Sequence, residues 1–280
     1  MYPTTFDYHR ATSVDHALEL LSSAPDAKLL AGGHSLLPMM KLRLAQPETL
    51  IDIGRLDDLR GACLQDDLVH VGALTTHHEL ATDPVLRRHC PLICLAAEKI
   101  GDPAVRNRGT LGGNIAHADP ASDLPAVLVA LDAVVHLRGP GGARAVEARA
   151  FFRDLLDTEV RDDELLLAVE MRRTGPGVAY CKHEHPASGY AVCGAAAWVE
   201  GDHVALAWNG VTATPLDGRA VAEALAGSDL SDAAIEAALA EHLEVVDPLQ
   251  DVQASGPYRA HLAQVYGRRA LAAARDRARG

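Results

Sequence analysis

At 280 residues the chain is long enough for two or three compact units with ample core. Its 48% hydrophobic and 23% charged content is that of a globular protein, and with only 4% aromatic residues the interior must rely on Ala, Val and Leu. A formal charge of −12 argues against nucleic acid or an anionic membrane surface as partner, and admits an anionic ligand only where local backbone dipoles attract one.

No apolar run reaches the ~20 residues needed to span a bilayer. The opening MYPTTFDYHRATS lacks the basic stretch followed by an apolar one that marks a secretory leader, which points to the cytoplasm. The five cysteines, Cys63, Cys90, Cys94, Cys181 and Cys193, are scattered and odd in number, so they read as free thiols. No Cys-x-x-Cys pair occurs, and an iron–sulfur cluster with its four ligands is not expected on this chain.

In chain order, Thr12 or Ser13 can cap a helix with Val14, Ala17, Leu18 and Leu21 on one face. Lys28-Leu29-Leu30 reads as a strand running into Ala31-Gly32-Gly33-His34-Ser35. Ser35 stands where an N-cap should, with Pro38 in the first turn of a helix to about Leu44, and Leu50–Ile53 is a further strand. Leu68–Ala73 reads as a strand, and Thr76 with Glu79 as a capping box. A helix from about Pro91 to Ile100 is broken by Gly101-Asp102-Pro103, ahead of Thr110-Leu111-Gly112-Gly113-Asn114.

Past Asp123 a helix carries Val127, Leu128 and Leu131. A hairpin folds at Gly139–Gly142, and Glu164–Met171 is another strand. Thr174–Gly177 punctuates the chain. Tyr190–Glu200 and His203–Trp208 are strands, and the Ala-rich remainder is helical from Arg219, from Ser231 and from Tyr258. Strands and helices mix without steady βαβ alternation, which predicts an α+β fold. The units expected are 1–55, 56–173 and 178–280.

Two stretches carry chemistry. Each is a glycine pair beside small hydroxyl or amide residues, at the join between a strand and a helix. Glycine pairs permit positive φ and leave backbone N–H groups open to a ligand, and consecutive N–H groups at such a turn form an anion site. Neither stretch has the G-x-G-x-x-G spacing of a dinucleotide fold. The residues alone support anion-binding loops, whether paired or merely structural turns. The 14 histidines include His77-His78 and His183-x-His185, neither set at metal-ligand spacing. Arg106 and Arg108 either steady the second loop or face a partner.

FDYHRATSVDHALELL, AGGHSLLPMMKLRLA and IGDPAVRNRGTLGGNIAHADPASDLPAVLVAL resemble the flavin-binding medium subunit of bacterial molybdenum hydroxylases, a family that includes aerobic carbon monoxide dehydrogenase and the flavin portion of xanthine dehydrogenase. The resemblance continues through AYCKHEHPASGYAVCGAAA and PYRAHLAQVYGRRAL. It implies a two-part FAD-binding region followed by a C-terminal α+β domain with a small antiparallel sheet and helices.

It also implies that Ala31, Gly32, Gly33, His34 and Ser35, with Thr110, Leu111, Gly112, Gly113 and Asn114, grip the FAD pyrophosphate. Asp123 would meet the ribityl or nearby hydroxyls, with a helix N-cap as its bland alternative. Lys182 would lie near the flavin, its alternative being a solvated strand-end lysine. Tyr190 would pack beside the isoalloxazine ring, and Leu166 would wall the adenine end. Gly189 stands where many members carry Asp. The implied partners are an iron–sulfur small subunit and a molybdopterin large subunit, in a dimer of heterotrimers. The other function considered is a stand-alone FAD-dependent oxidase or reductase.

Overall fold

The computed structural model describes residues 2–24 and 26–280. Its first sheet is parallel, in the order β1-β3-β2, from β1 (Asp7–Arg10), β2 (Ala27–Leu30) and β3 (Thr49–Asp52). Helix α1 (Val14–Ser23) starts where the Ser13 hydroxyl accepts the His16 N–H, and buries Ala17, Leu18 and Leu21 in one core with Ile51 and Ile53. Parallel neighbours require a crossover, and the crossover from β2 to β3 contains the 31–35 turn and helix α2 (Leu36–Lys41). The turn therefore sits at the carboxyl end of a parallel strand, the usual place for a ligand crevice in such sheets. Helix α2 stops short of Leu44 because the chain reverses at Arg43, whose φ is +59°.

The next stretch opens with the hairpin β4 (Ala62–Gln65) and β5 (Leu68–Gly72). Six helices follow: α3 (His77–Thr82), α4 (Pro84–His89), α5 (Pro91–Ala97), α6 (Pro103–Arg106), α7 (Leu111–His117) and α8 (Leu124–Ala130). Then come the hairpin β6 (Val134–Gly139) and β7 (Gly142–Glu147), helix α9 (Ala148–Phe151), the short ladder β8 (Phe152–Asp154) and β9 (Asp157–Thr158), and strand β10 (Leu165–Arg172). Strands pair antiparallel in the order β4-β5-β10-β6-β7, so the last strand in sequence takes the central position. Alternate residues Val69, Val71, Val135, Leu137, Val169 and Met171 enter one core with α5 and α8. The expected capping box forms: Thr76 Oγ1 accepts the Glu79 N–H at 3.2 Å while the Glu79 carboxylate accepts the Thr76 N–H at 2.7 Å.

The C-terminal stretch builds a third sheet, antiparallel, from β11 (Val178–Glu184), β12 (Ala191–Glu200), β13 (His203–Asn209) and β14 (Leu216–Asp217) in that order. It carries helices α10 (Arg219–Leu225), α11 (Asp232–His242) and α12 (Gly256–Arg279). Tyr180, Ala196, Trp198 and Ala207 face the core shared with α5 and α8, while Ala179, Ala195, Ala197 and Trp208 face the core shared with α10–α12. Both faces are covered, so β12 is buried at every residue except Glu200, and its alanines let both layers approach closely. The strand begins at Ala191 rather than Tyr190, and β11 has no counterpart in the sequence pattern read above.

Candidate functional site

The two glycine loops touch. A Cβ on Gly32 would lie 2.2 Å from the Arg108 carbonyl oxygen and 2.9 Å from Gly109 Cα, so only glycine lets the first loop rest on the second. Gly33 takes φ +76°, and among the described residues the N–H groups of Gly32, Gly33, His34 and Ser35 meet no acceptor. Ser35 sits in the right-handed helical region and makes no capping bond, so it does not cap α2 as expected and its hydroxyl stays free. In the second loop, Thr110 caps α7 by accepting the Gly113 N–H at 3.1 Å. That loop is fastened from below by the 73–77 segment, with Gly112 N–H donating to the Ala73 carbonyl at 2.8 Å and Leu111 N–H to Thr75 at 2.9 Å.

Above the loops opens a cavity of about 600 Å³, in the range of cofactor and ligand pockets. Its walls include all the expected site residues except Leu111 and Lys182. Leu111 does not reach the cavity as expected: its N–H is spent on the Thr75 carbonyl and its side chain is fully buried in the core under α7. Leu166 lines the cavity from β10. Tyr190, half exposed, reaches it from the turn between β11 and β12, so the C-terminal stretch contributes a wall. Asn114 is held by the Ser122 hydroxyl, which donates to Oδ1 at 2.6 Å.

Lys182 lies behind Asp123. Its ammonium is 2.9 Å from one carboxylate oxygen, and it donates to the other at 3.0 Å and to the Lys99 carbonyl at 2.9 Å. The side chain is 1% exposed, which overturns the solvated strand-end alternative. Asp123 makes no capping bond to α8, so the N-cap alternative is not realised either. Instead its carboxylate accepts the Tyr180 hydroxyl at 2.6 Å. The hydroxyl's single proton is thus committed, and the Asn209 amide, 3.1 Å away, satisfies both groups when its NH₂ faces the phenol oxygen. Gly194 leaves the room, since a Cβ there would fall 2.3 Å from that oxygen.

Burial pushes the Asp123 carboxyl up to about 6, against the opposing pull of Lys182 and the Tyr180 hydrogen bond, so it is ionised at neutral pH. Burial and the neighbouring carboxylate hold the Tyr180 phenol well above the usual tyrosine value. Arg106 folds back on the turn ahead of α6, donating to the carbonyls of Ile100 and Gly101, both at 2.9 Å. The sequence singles out neither Tyr180 nor Asn209, and His77 only within a histidine pair, although the spacing of Tyr180 and Lys182 on one strand already puts them on the same face.

Comparison with known proteins decides the family. Residues 4–171 match the family described as FAD binding domain in molybdopterin dehydrogenase, and residues 178–274 match the CO dehydrogenase flavoprotein C-terminal domain. The chain belongs to the FAD-binding medium subunits of the molybdenum hydroxylases. It is 38% identical to the carbon monoxide dehydrogenase medium chain of Hydrogenophaga pseudoflava over 98% of both chains. The glyceraldehyde dehydrogenase medium chain of Sulfolobus acidocaldarius is 35% identical, over 95% of this chain and 96% of its own. A solved carbon monoxide dehydrogenase from Hydrogenophaga pseudoflava, lacking the Mo-pyranopterin moiety of its cofactor, superposes with a TM-score of 0.94 at 39% identity over 99% of both chains.

Membership makes the chain the flavoprotein subunit of an oxidoreductase with FAD as its cofactor, and the α+β architecture is the family's two-part FAD-binding region plus C-terminal domain. The residues present suit that group. Four open N–H groups in an acidic protein give a pyrophosphate fixed partial charges where the overall field offers none. Among the described residues no helix is long and apolar enough to cross a membrane, and no group of three His, Cys, Asp or Glu residues is placed to hold a metal ion.

Proposed function

We propose that this subunit carries electrons from [2Fe–2S] clusters on a partner subunit to an external acceptor, within a heterotrimer that also contains a molybdopterin large subunit and pairs as a dimer of heterotrimers. The observation that supports it most directly is the joined pair of glycine loops opening on a cavity walled by Tyr190. When bound, FAD supplies a centre that exchanges one or two electrons. Residues 31–35 and 110–114 would hold its pyrophosphate, Leu166 and Tyr190 would wall its rings, and Asp123, backed by Lys182, would accept hydrogen bonds from its hydroxyls. On this reading the units are 1–55, 56–173 and 178–280, with the last closing over the cofactor.

Burial pushes the thiols of Cys90, Cys94 and Cys193 up to about 12, so they are protonated at neutral pH. All five cysteines are unpaired, which suits a reducing, cytoplasmic setting. Relatives of similar identity are named for carbon monoxide and for glyceraldehyde, two unlike substrates, so substrate choice belongs to another subunit.

Gentle lysis followed by affinity capture tests the assignment. The chain is expected to bring down an iron–sulfur and a molybdopterin subunit, and its flavin to be reduced by the complex's substrate only with all three present. A chain that elutes alone, and whose flavin a small substrate reduces directly, would establish a stand-alone enzyme instead.

A further inference from the structure

We propose that His77 is a direct ligand of the cofactor, its Nε2–H donating to a pyrophosphate oxygen between the two glycine loops. The assignment rests on the FAD reading of the cavity and adds a residue outside both loops.

Its backbone is immobilised against the second loop. His77 opens α3, its N–H donates to the Gly109 carbonyl at 2.9 Å, and the preceding Thr76 pairs with Thr110. The imidazole is 3% exposed and lines the cavity. Its Cδ2–Nε2 edge lies against Gly109, where a Cβ would come within 2.7 and 2.8 Å of those two atoms. The other nitrogen, Nδ1, is enclosed with no partner among the described residues.

A neutral imidazole has one N–H. Placing it on Nδ1 would bury a donor with no acceptor, so the proton belongs on Nε2, at the cavity side. Burial, with His34 and Arg106 nearby, draws His77 down to about 4, so the ring is neutral at physiological pH. It is therefore a donor that adds no charge. A histidine kept only for packing would enclose Nδ1 without a partner and turn its Nε2–H toward the cavity to no purpose. An anion oxygen at Nε2 gives the ring its function.

The test uses the full-length chain, stripped of flavin and titrated with FAD, ADP and riboflavin. His77→Leu is expected to weaken FAD and ADP roughly 10- to 100-fold, the range for a hydrogen bond to a charged group, and to leave riboflavin unchanged. His77→Gln, whose amide nitrogen reaches the position of Nε2, is expected to restore most of the loss. Imidazole nitrogen NMR of the wild type, which needs no variant to fold, is expected to show the Nε2–H tautomer, with that resonance moving when ADP is added.

Three results would overturn the assignment: wild-type affinity for FAD and ADP in His77→Leu, equal loss for riboflavin, or an Nε2 resonance indifferent to ADP. If the wild-type ring responds to ADP yet the chain takes up no FAD, the FAD reading fails while the anion contact stands. If the chain takes up FAD and the ring is indifferent, only the His77 assignment fails.

Discussion

The Lys182 ammonium stands 2.9 Å from the Asp123 carboxylate, and with side-chain exposures of 1% and 5% the pair is closed to solvent. One partner comes from the N-terminus of α8 and the other from β11, so the contact ties the C-terminal sheet to the cavity wall. Removing one member of such a pair leaves an uncompensated buried charge, which costs about 3–5 kcal/mol. Lys182→Met and Asp123→Asn are each expected to lower stability on that scale. The double variant should recover a large part of the summed loss, because no bare charge remains. Urea unfolding of the two singles and the double checks this; strictly additive losses would show that the pair is uncoupled.

This pair also marks where sequence reading stops. The two loops, the Ser13 cap, the Thr76–Glu79 box and the Gly139–Gly142 hairpin are local, so their residues announce them. Strand β1 is exposed along its length and forms only because β3 lies beside it, a pairing of residues far apart in sequence. Strand β11 ends in Lys182, His183 and Glu184 and looks like a loop until Tyr180 and Lys182 find Asp123. In sequence His77 is only half of a histidine pair; its burial and its contact with Gly109 exist only in three dimensions.

His77 makes the acid limb of stability predictable. It titrates near 4 when folded and near 6.5 when unfolded, so between those values the unfolded chain binds the extra proton. The stability gained by keeping the ring neutral is fully present above about pH 6.5 and is lost as pH falls toward 4. Between pH 7 and pH 5 the wild type should lose about 2 kcal/mol more than His77→Gln. Asp123 contributes with the opposite sign, its raised value costing stability as pH climbs from about 4 to 6, but that contribution is common to both proteins and cancels. Urea midpoints at the two pH values test it, and parallel pH profiles would mean that His77 is not buried neutral.

Gly32 and Gly141 form a contrast within one residue type. A Cβ at Gly32 meets the Arg108 carbonyl oxygen at 2.2 Å, whereas one at Gly141 meets nothing within 4 Å. Gly32→Ala must part the loops, so the folded protein is expected to lose most of its bound flavin. Gly141→Ala should keep its flavin and change stability by no more than about 0.5 kcal/mol. The flavin-to-protein absorbance ratio of the purified variants decides it. Equal flavin in both would break the link between loop contact and binding.

Arg259 extends the site's support to the far side of the C-terminal sheet. It is 2% exposed, and Nη1 donates to the Val192 carbonyl at 2.8 Å and to the Gly210 carbonyl at 2.5 Å, while Nη2 reaches Asp251 at 2.8 Å. The same strand ends hold the segment before Asp123, through Ala191 N–H on the Ala121 carbonyl and Gly210 N–H on that of Pro120. The guanidinium thus fixes one end of a chain of contacts whose other end is the cavity wall. Lysine has no planar fork to reach the three acceptors together, so Arg259→Lys is expected to cost about 2 kcal/mol or more and to lower FAD affinity without touching the cavity. Asp251 is 46% exposed, and Asp251→Asn, which keeps an acceptor oxygen for Nη2, should cost less than Arg259→Lys. Thermal unfolding with and without added FAD separates the two effects: Arg259→Lys should show both a lower midpoint and a smaller rise on adding FAD, and a full-sized rise would confine Arg259 to stability alone.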